Sequence, residues 1–165
     1  MPSPVARREM LVAMTAPARL RPAEVGDLPF IFRQERGYIE TIEPAALPGW
    51  LAALDRNLEL WISCLPHTVF CVDAAGQPLG FAMWLPDGDA ATLVSIQVLG
   101  SHRRQGLGRL LLKAFEERVS PGAVNLGVHK SNPARMLYEA AGYDAAGRDG
   151  DYLLFGKTLG AASAS

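Results

Sequence analysis

Two cysteines in 165 residues, Cys64 and Cys71, are too few for a disulfide framework and form no C-x-x-C redox or zinc motif. Both lie in apolar surroundings, which predicts buried free thiols and fits a reducing, cytoplasmic setting. The three histidines, His67, His102 and His129, lack metal-ligand spacing, so no metal is expected. Apolar runs long enough to cross a bilayer are missing, and no membrane partner is expected. The short apolar patch Met10 to Met14, closely followed by Pro17, cannot serve as a signal-peptide core. Net charge is -1, so no bulk field draws nucleic acid, and no aromatic-basic pattern supports a nucleic-acid partner. Repeats and low-complexity segments are absent as well.

What remains is an ordinary globular balance, 49% hydrophobic and 20% charged, at a length that fits one domain. Residues 17–159 are expected to form it. Residues 1–16 read as a loose tail, with Met14 as an alternative start, and the small, polar residues 160–165 as a frayed end.

The segment from Arg19 to Ile39 reads as a short strand, a turn at Gly26-Asp27 and a helix with Asp27 at its N-cap. Apolar residues then fall at Leu47, Leu51, Leu54, Leu58, Trp61 and Leu65, the alternating steps of one amphipathic helix. Beyond His67 the period changes. Strands over Val69–Val72, Phe81–Leu85 and Ala91–Leu99, joined by tight Gly-containing turns, predict an antiparallel meander. A helix follows Arg104, with Leu107, Leu110, Leu111, Ala114 and Phe115 on one face. A strand at Ala123–His129 leads to a helix punctuated by Asn132 at the N-cap, Pro133 at the first position and Gly142 just past the end. A final hairpin turns at Arg148-Asp149-Gly150. The order β-α-α-β-β-β-α-β-α-β-β predicts an α+β (mixed α/β) fold, a central, mostly antiparallel sheet flanked by about four helices.

The stretch "RRQGLGRLLL" places two glycines and three arginines where a strand gives way to a helix. The first turn of a helix carries unpaired N–H groups and the positive end of its dipole. Glycine lets backbone approach a ligand, and arginine adds charge-assisted hydrogen bonds. Together they make an anion site suited to phosphate or pyrophosphate. A Walker A loop is excluded because Arg109 and Leu110 follow Gly108, and a dinucleotide fingerprint because Leu111 stands where its third glycine belongs.

The pattern R-x-x-G-x-G (Arg103, Gly106, Gly108), followed downstream by Asn132, Tyr138 and Gly142-Tyr143, resembles the GNAT superfamily of acyl-CoA-dependent N-acetyltransferases. The resemblance runs from about Arg19 to Leu159 in element order. It implies a GNAT-like fold with acetyl-CoA as co-substrate. The turn residues Arg103, Arg104, Gln105, Gly106, Leu107, Gly108 and Arg109 then hold the pyrophosphate. Ile96, Gln97 and Val98 pair with the pantetheine arm, and Asn132 touches the cofactor. Tyr138 matches the family's usual general acid. Read as residues alone, Asn132 is equally a helix cap and Tyr138 a core aromatic.

The implied chemistry is direct attack of an amine on the thioester, with the Val98 N–H as oxyanion donor and Tyr138 protonating the leaving thiolate. Many relatives carry Pro and an acid just after the strand, where this chain has Gly100 and Ser101. Other bases are Glu35, Glu40, Glu43 and Asp89, and spacing singles out none of them. If the segments holding Glu35, Glu40 and Glu43 and the late acids Asp144, Asp149 and Asp151 border the acceptor mouth, as the resemblance implies, that mouth is acidic; read as residues alone, these carboxylates are equally dispersed, solvated surface charges. Such a mouth suits a small cationic amine or a peptide N-terminus. The rival reading is a non-catalytic acyl-CoA-binding or sensor domain, which keeps the Arg103–Arg109 turn and has no use for Tyr138. The acceptor's identity and a homodimeric state stay open.

Overall fold

Two strands with nearly continuous apolar sequence, β2 (Thr68–Val72) and β3 (Pro78–Asp87), run through the middle of the protein. A computed structural model describes residues 3–4, 18–103 and 105–160. Every residue of β2 is buried, as is β3 from Leu79 to Trp84. Strands covered on both faces carry apolar residues without alternation. Val69, Cys71, Ala82 and Trp84 enter one core, and Phe70, Val72, Phe81 and Met83 enter the other. Both cysteines are free and buried.

The other described strands are β1 (Arg19–Pro22), β4 (Ala90–Val98), β5 (Gly122–His129), β6 (Asp144–Asp149) and β7 (Tyr152–Leu159). The sheet order is β1-β2-β3-β4-β5-β7-β6, antiparallel except for the β4–β5 pair. One face is covered by α1 (Leu28–Ile42), α2 (Leu47–Ala52) and α3 (Leu54–Cys64), through Phe30, Ile31, Trp61 and Cys64. The opposite face is covered by α4 (Leu107–Val119) and α5 (Arg135–Ala140), through Leu111, Leu112, Phe115 and Tyr138. The mixed α+β sheet expected from the element order is the one observed. No described helix is long and apolar enough to cross a membrane.

Three local expectations are corrected. The single helix read from Leu47 to Leu65 is two, broken at Ala53 (φ -97°, ψ 13°). The Asn57 side chain donates to the Trp50 carbonyl at 3.2 Å, satisfying an acceptor near the break, so the apolar period survives while the helical ladder does not. Asp27 does not cap α1 through its side chain. Its carboxylate accepts two 2.8 Å hydrogen bonds from Arg21 and one of 2.8 Å from the Glu24 N–H, which ties β1 to the turn before α1. Asn132 stands before the helix proper, which begins at Arg135 with Ala134 as N-cap. Its Oδ1 instead accepts the Ala134 N–H at 2.9 Å, closing a turn that leads into the helix. The predicted tails lie outside the described residues, except for residues 3, 4 and 160.

The β4–β5 seam positions everything that follows. The two strands pair only where Ala90, Ala91 and Thr92 meet Ala123, Val124 and Asn125. The Thr92 hydroxyl donates to Asn125 Oδ1 at 2.8 Å there. Just beyond, Trp84 pairs with Leu93 and Met83 with Ser95, so Val94 is an extra, bulged residue. From the bulge onward β4 stays with β3 while β5 leaves. Gly80 keeps β3 close: a Cβ there would stand 2.5 Å from the Gln97 carbonyl oxygen.

Candidate functional site

Where β4 and β5 part, a cavity of about 450 Å³ opens. Its walls come from both faces of the sheet: Gly37, Tyr38, Thr41 and Ile42 of α1 on one side, Leu107, Gly108 and Arg109 of α4 on the other. Ile96, Gln97 and Val98 of β4 form one edge, and Asn132, Pro133, Ala134 and Leu137 the opposite edge. Since α1 and α4 cover opposite faces, the cavity passes through the sheet beside the free edge of β4.

That edge carries donors with no strand partner among the described residues. An antiparallel strand points alternate N–H groups to opposite sides. The Leu99 N–H bonds to the Leu79 carbonyl at 2.7 Å, toward β3. By the same alternation the Val98 and Ile96 N–H groups point the other way, into the gap that β5 has vacated.

At one end of the cavity α4 begins. Gly106 precedes it at φ +77°, a left-handed conformation that glycine adopts without strain. Gly106, His102, Arg103 and Arg109 line the cavity beside the first turn. Neither Arg103 nor Arg109 is ion-paired with a described residue. A helix N-terminus with two free guanidinium groups is an anion receptor. Of the expected cofactor-side residues, Ile96, Gln97, Val98, Arg103, Gly106, Leu107, Gly108, Arg109 and Asn132 come together here. Gln105 is exposed outside the lining, and Arg104 lies outside the described residues.

Tyr138 lies on the same face of α5 as Ala134, one turn further in. It belongs to the α4-side core, its ring edge-on to Tyr143 at 5.8 Å. Burial pushes its phenol up to about 12, so it is protonated at neutral pH, and its hydroxyl makes no hydrogen bond to a described residue. Tyr143 is fixed in turn: its hydroxyl donates to Glu116 at 2.9 Å, and Lys157 bonds the same carboxylate at 3.1 Å and the Ala141 carbonyl at 2.7 Å.

The acids divide. Glu40 is exposed and pairs with Arg36 one turn away at 2.7 Å. Asp151 pairs with Lys130 at 3.1 Å. Glu35 turns inward, where Ser95 Oγ donates to its Oε1 and Gln97 Nε2 donates to Ser95 Oγ at 3.3 Å. Burial pushes the Glu35 carboxyl up to about 7, against the opposing effect of hydrogen bonds from Ser95 and Gln97. Tyr38 lines the cavity, and burial together with the neighbouring Glu43 carboxylate holds its phenol well above the usual range. Its hydroxyl is linked to Glu43 and to Asn132. Glu43 also accepts from the Tyr152 hydroxyl, joining the end of α1 to the start of β7. Sequence spacing did not reveal Tyr38, Thr41, His102 or Leu137 as lining residues. Among the described residues no three His, Cys, Asp or Glu side chains gather as a metal-ligand set.

Residues 66–145 match the family model of an acetyltransferase (GNAT) domain. The mycothiol acetyltransferase of Clavibacter sepedonicus is 32% identical over 122 residues, 64% of this chain and 40% of that protein. The chain thus spans 40% of the length of this curated relative. The crystal structure of PaiA N-acetyltransferase from Thermoplasma acidophilum in complex with coenzyme A superposes with a TM-score of 0.74 at 16% identity, over 87% of this chain and 100% of that one. A phosphinothricin acetyltransferase from Sinorhizobium meliloti in complex with AcCoA gives 0.69 at 20% identity, over 87% and 89%. At these identities the likeness is one of fold.

Proposed function

We propose that this protein is a GNAT-type N-acetyltransferase that moves the acetyl group of acetyl-CoA directly to an amine, a reading supported by the acetyltransferase (GNAT) domain match over residues 66–145 and by the shared fold. The observation that carries this is the cavity through the sheet, with an anion-receiving helix start on one face and a separate approach from α1 on the other. The turn Arg103–Arg109 suits a pyrophosphate. The free edge Ile96–Val98 suits an extended amide-bearing arm, because its outward N–H groups have no strand partner among the described residues.

The amine nitrogen attacks the thioester carbon. A C–N bond forms and the carbonyl pair moves onto oxygen, where the Val98 N–H supports the negative charge. Collapse breaks the C–S bond, and the thiolate takes the Tyr138 proton. The nitrogen's surplus proton passes to solvent, from which Tyr138 is reprotonated. Titrating the purified protein calorimetrically with acetyl-CoA, then following acetyl-CoA consumption over amino acids, polyamines, aminoglycosides and peptide N-termini, tests the reading. Saturable binding and one productive amine class are expected. Absence of acetyl-CoA binding overturns it.

The acceptor is a cationic amine. Glu43 stands behind Tyr38 at the α1 end of the cavity, and no lining residue there is basic. Attraction of this kind is screened by salt. The acceptor KM is therefore expected to rise several-fold between low and high salt, and Glu43→Gln to raise it at low salt by a factor matching at most ~1 kcal/mol. A salt-independent KM, or preference for an acidic acceptor, sinks this assignment.

A further inference from the structure

We propose that Glu35 is the proton acceptor for the incoming amine, standing on the α1 side of the gap behind Ser95 and Gln97, opposite Tyr138. This deepens the acetyl-transfer reading and rests on it.

Register places the group. Ser95 pairs with Met83 and Gln97 with Phe81, and both partners belong to the α1-side core. The bulge at Val94 therefore turns Ser95 and Gln97 toward α1, while Ile96 and Val98 turn toward the α4-side core. Gln97 lines the cavity, and Ser95 and Glu35 stand behind it in a hydrogen-bonded chain whose donors all point toward the carboxylate. Tyr138 belongs to the opposite core. A proton is thus taken on the face from which the amine enters and delivered on the face where the thiolate leaves. One group could not do both at once across the sheet.

The neighbours of Glu35 are nearly all uncharged. The elements packed on α1 present Trp50, Leu54, Trp61, Phe81, Met83 and Val94. On α1 itself Arg33 and Arg36 are exposed, and Arg36 is taken by Glu40. Burial dominates the upward shift of Glu35, and no ionised group contributes to it. The carboxyl consequently titrates about 7, where a base both accepts a proton and is regenerated by solvent.

The step balances as follows. An ammonium N–H bond breaks and its electron pair stays on nitrogen. The proton passes through a bridging water and the Ser95 hydroxyl, whose own proton moves to Glu35 Oε1. The carboxylic acid then returns the proton to solvent. Summed with acetyl transfer, one proton is released for each ammonium acetylated.

The test measures acetyl transfer from acetyl-CoA to glycinamide, spermidine and hydroxylamine in wild type, Glu35→Gln, Glu35→Asp and Ser95→Ala, after calorimetry has established acetyl-CoA binding. Hydroxylamine is already unprotonated at neutral pH and needs no base. Glu35→Gln is expected to lower kcat/KM for the two ammonium acceptors roughly 10²-fold or more, to spare hydroxylamine and to leave acetyl-CoA affinity unchanged. The acidic limb near pH 7 disappears with it, leaving only the limb set by the amine. Glu35→Asp restores part of the rate and the limb. Ser95→Ala removes both the hydroxyl that relays the proton and a hydrogen bond that lowers the Glu35 pKa, so kcat/KM for the two ammonium acceptors falls, hydroxylamine is spared and the limb moves to higher pH. The fold is expected to survive. A carboxyl whose pKa is raised on folding contributes most below about 4.5 and loses that contribution as pH rises through about 7, so a neutral Gln removes the loss. Equal losses with all three acceptors, an unchanged limb in Glu35→Gln, or acetyl-CoA binding with none of the three acetylated overturns the role of Glu35 and leaves the cofactor reading standing. No acetyl-CoA binding by wild type overturns both.

Discussion

Gly108→Glu is expected to abolish detectable acetyl-CoA binding while the protein stays folded. Gly108 lies in the first turn of α4 and lines the cavity. A Cβ there would meet only Leu137 Cδ2, at 3.4 Å, at the edge of ordinary contact, so the backbone need not move. Replacing glycine within a helix favours folding by up to ~1 kcal/mol. An acid in the first turn adds ~0.3–1 kcal/mol through the dipole. The same features make the substitution fatal to binding. The new carboxylate enters the cavity between Arg103 and Arg109, takes the donors meant for a diphosphate and repels its charge. A loss of about 10²-fold or more follows from one charge-assisted contact forfeited and one repulsion gained. Gly108→Ala separates bulk from charge, since its methyl only touches Leu137 and should cost far less. Calorimetric titration decides the matter, with thermal melting as the control for folding. Wild-type affinity in Gly108→Glu would remove the anion-site reading of the entire turn.

Tyr138→Phe is expected to keep acetyl-CoA affinity and to slow the chemical step by roughly 10²–10⁴-fold. The ring's seat survives the change. Its partner Tyr143 is held by Glu116, which Lys157 also binds, and none of these contacts involves the Tyr138 hydroxyl. What disappears is a proton that burial keeps on oxygen up to about pH 12. Turnover is therefore lowered at every pH at which the wild type works, instead of through a shifted limb. Single-turnover acetyl transfer, which isolates chemistry from product release, is the measurement. An undiminished single-turnover rate would reduce Tyr138 to a packing residue.

Gly106 and Gly108 were legible in sequence because their demands are local, whereas Tyr138, read as a residue alone, is a core aromatic that only the family resemblance singles out. Gly106 must adopt positive φ, Gly108 must leave room, and both do so beside arginines within a few residues. Gly142, at φ +87°, likewise marks the end of α5 in the chain itself. The α1 side of the site was legible only in part. Tyr38 reaches Asn132 across more than ninety positions, and Glu35 is distinguished from Glu40 only by which way the helix faces. Glu35 stands four residues from both buried Ile31 and buried Ile39, so the apolar stripe of α1 already turns it inward and Glu40 outward, but its partners Ser95 and Gln97 are set by the register of β4 against β3, reset by the Val94 bulge. The break at Ala53 escaped for the opposite reason. Two helices in line keep the apolar period of one, so the stripe from Leu47 to Leu65 holds no mark of the interruption.

The seam between β4 and β5 has a mechanical meaning. Three register pairs and the Thr92–Asn125 hydrogen bond are the strand-to-strand connection between a half-sheet of β1 to β4 and a half-sheet of β5 to β7. Ladders elsewhere in the sheet run up to eight pairs. The gap is a wedge closed at one end, with the short seam at its apex and the α4-side core spanning both half-sheets. An extended molecule lying along the free edge of β4 would act as the missing rungs and stiffen the two halves into one sheet. Part of its contact energy then goes into ordering the protein, and a second molecule arriving from the α1 face meets a gap whose width the first has already set.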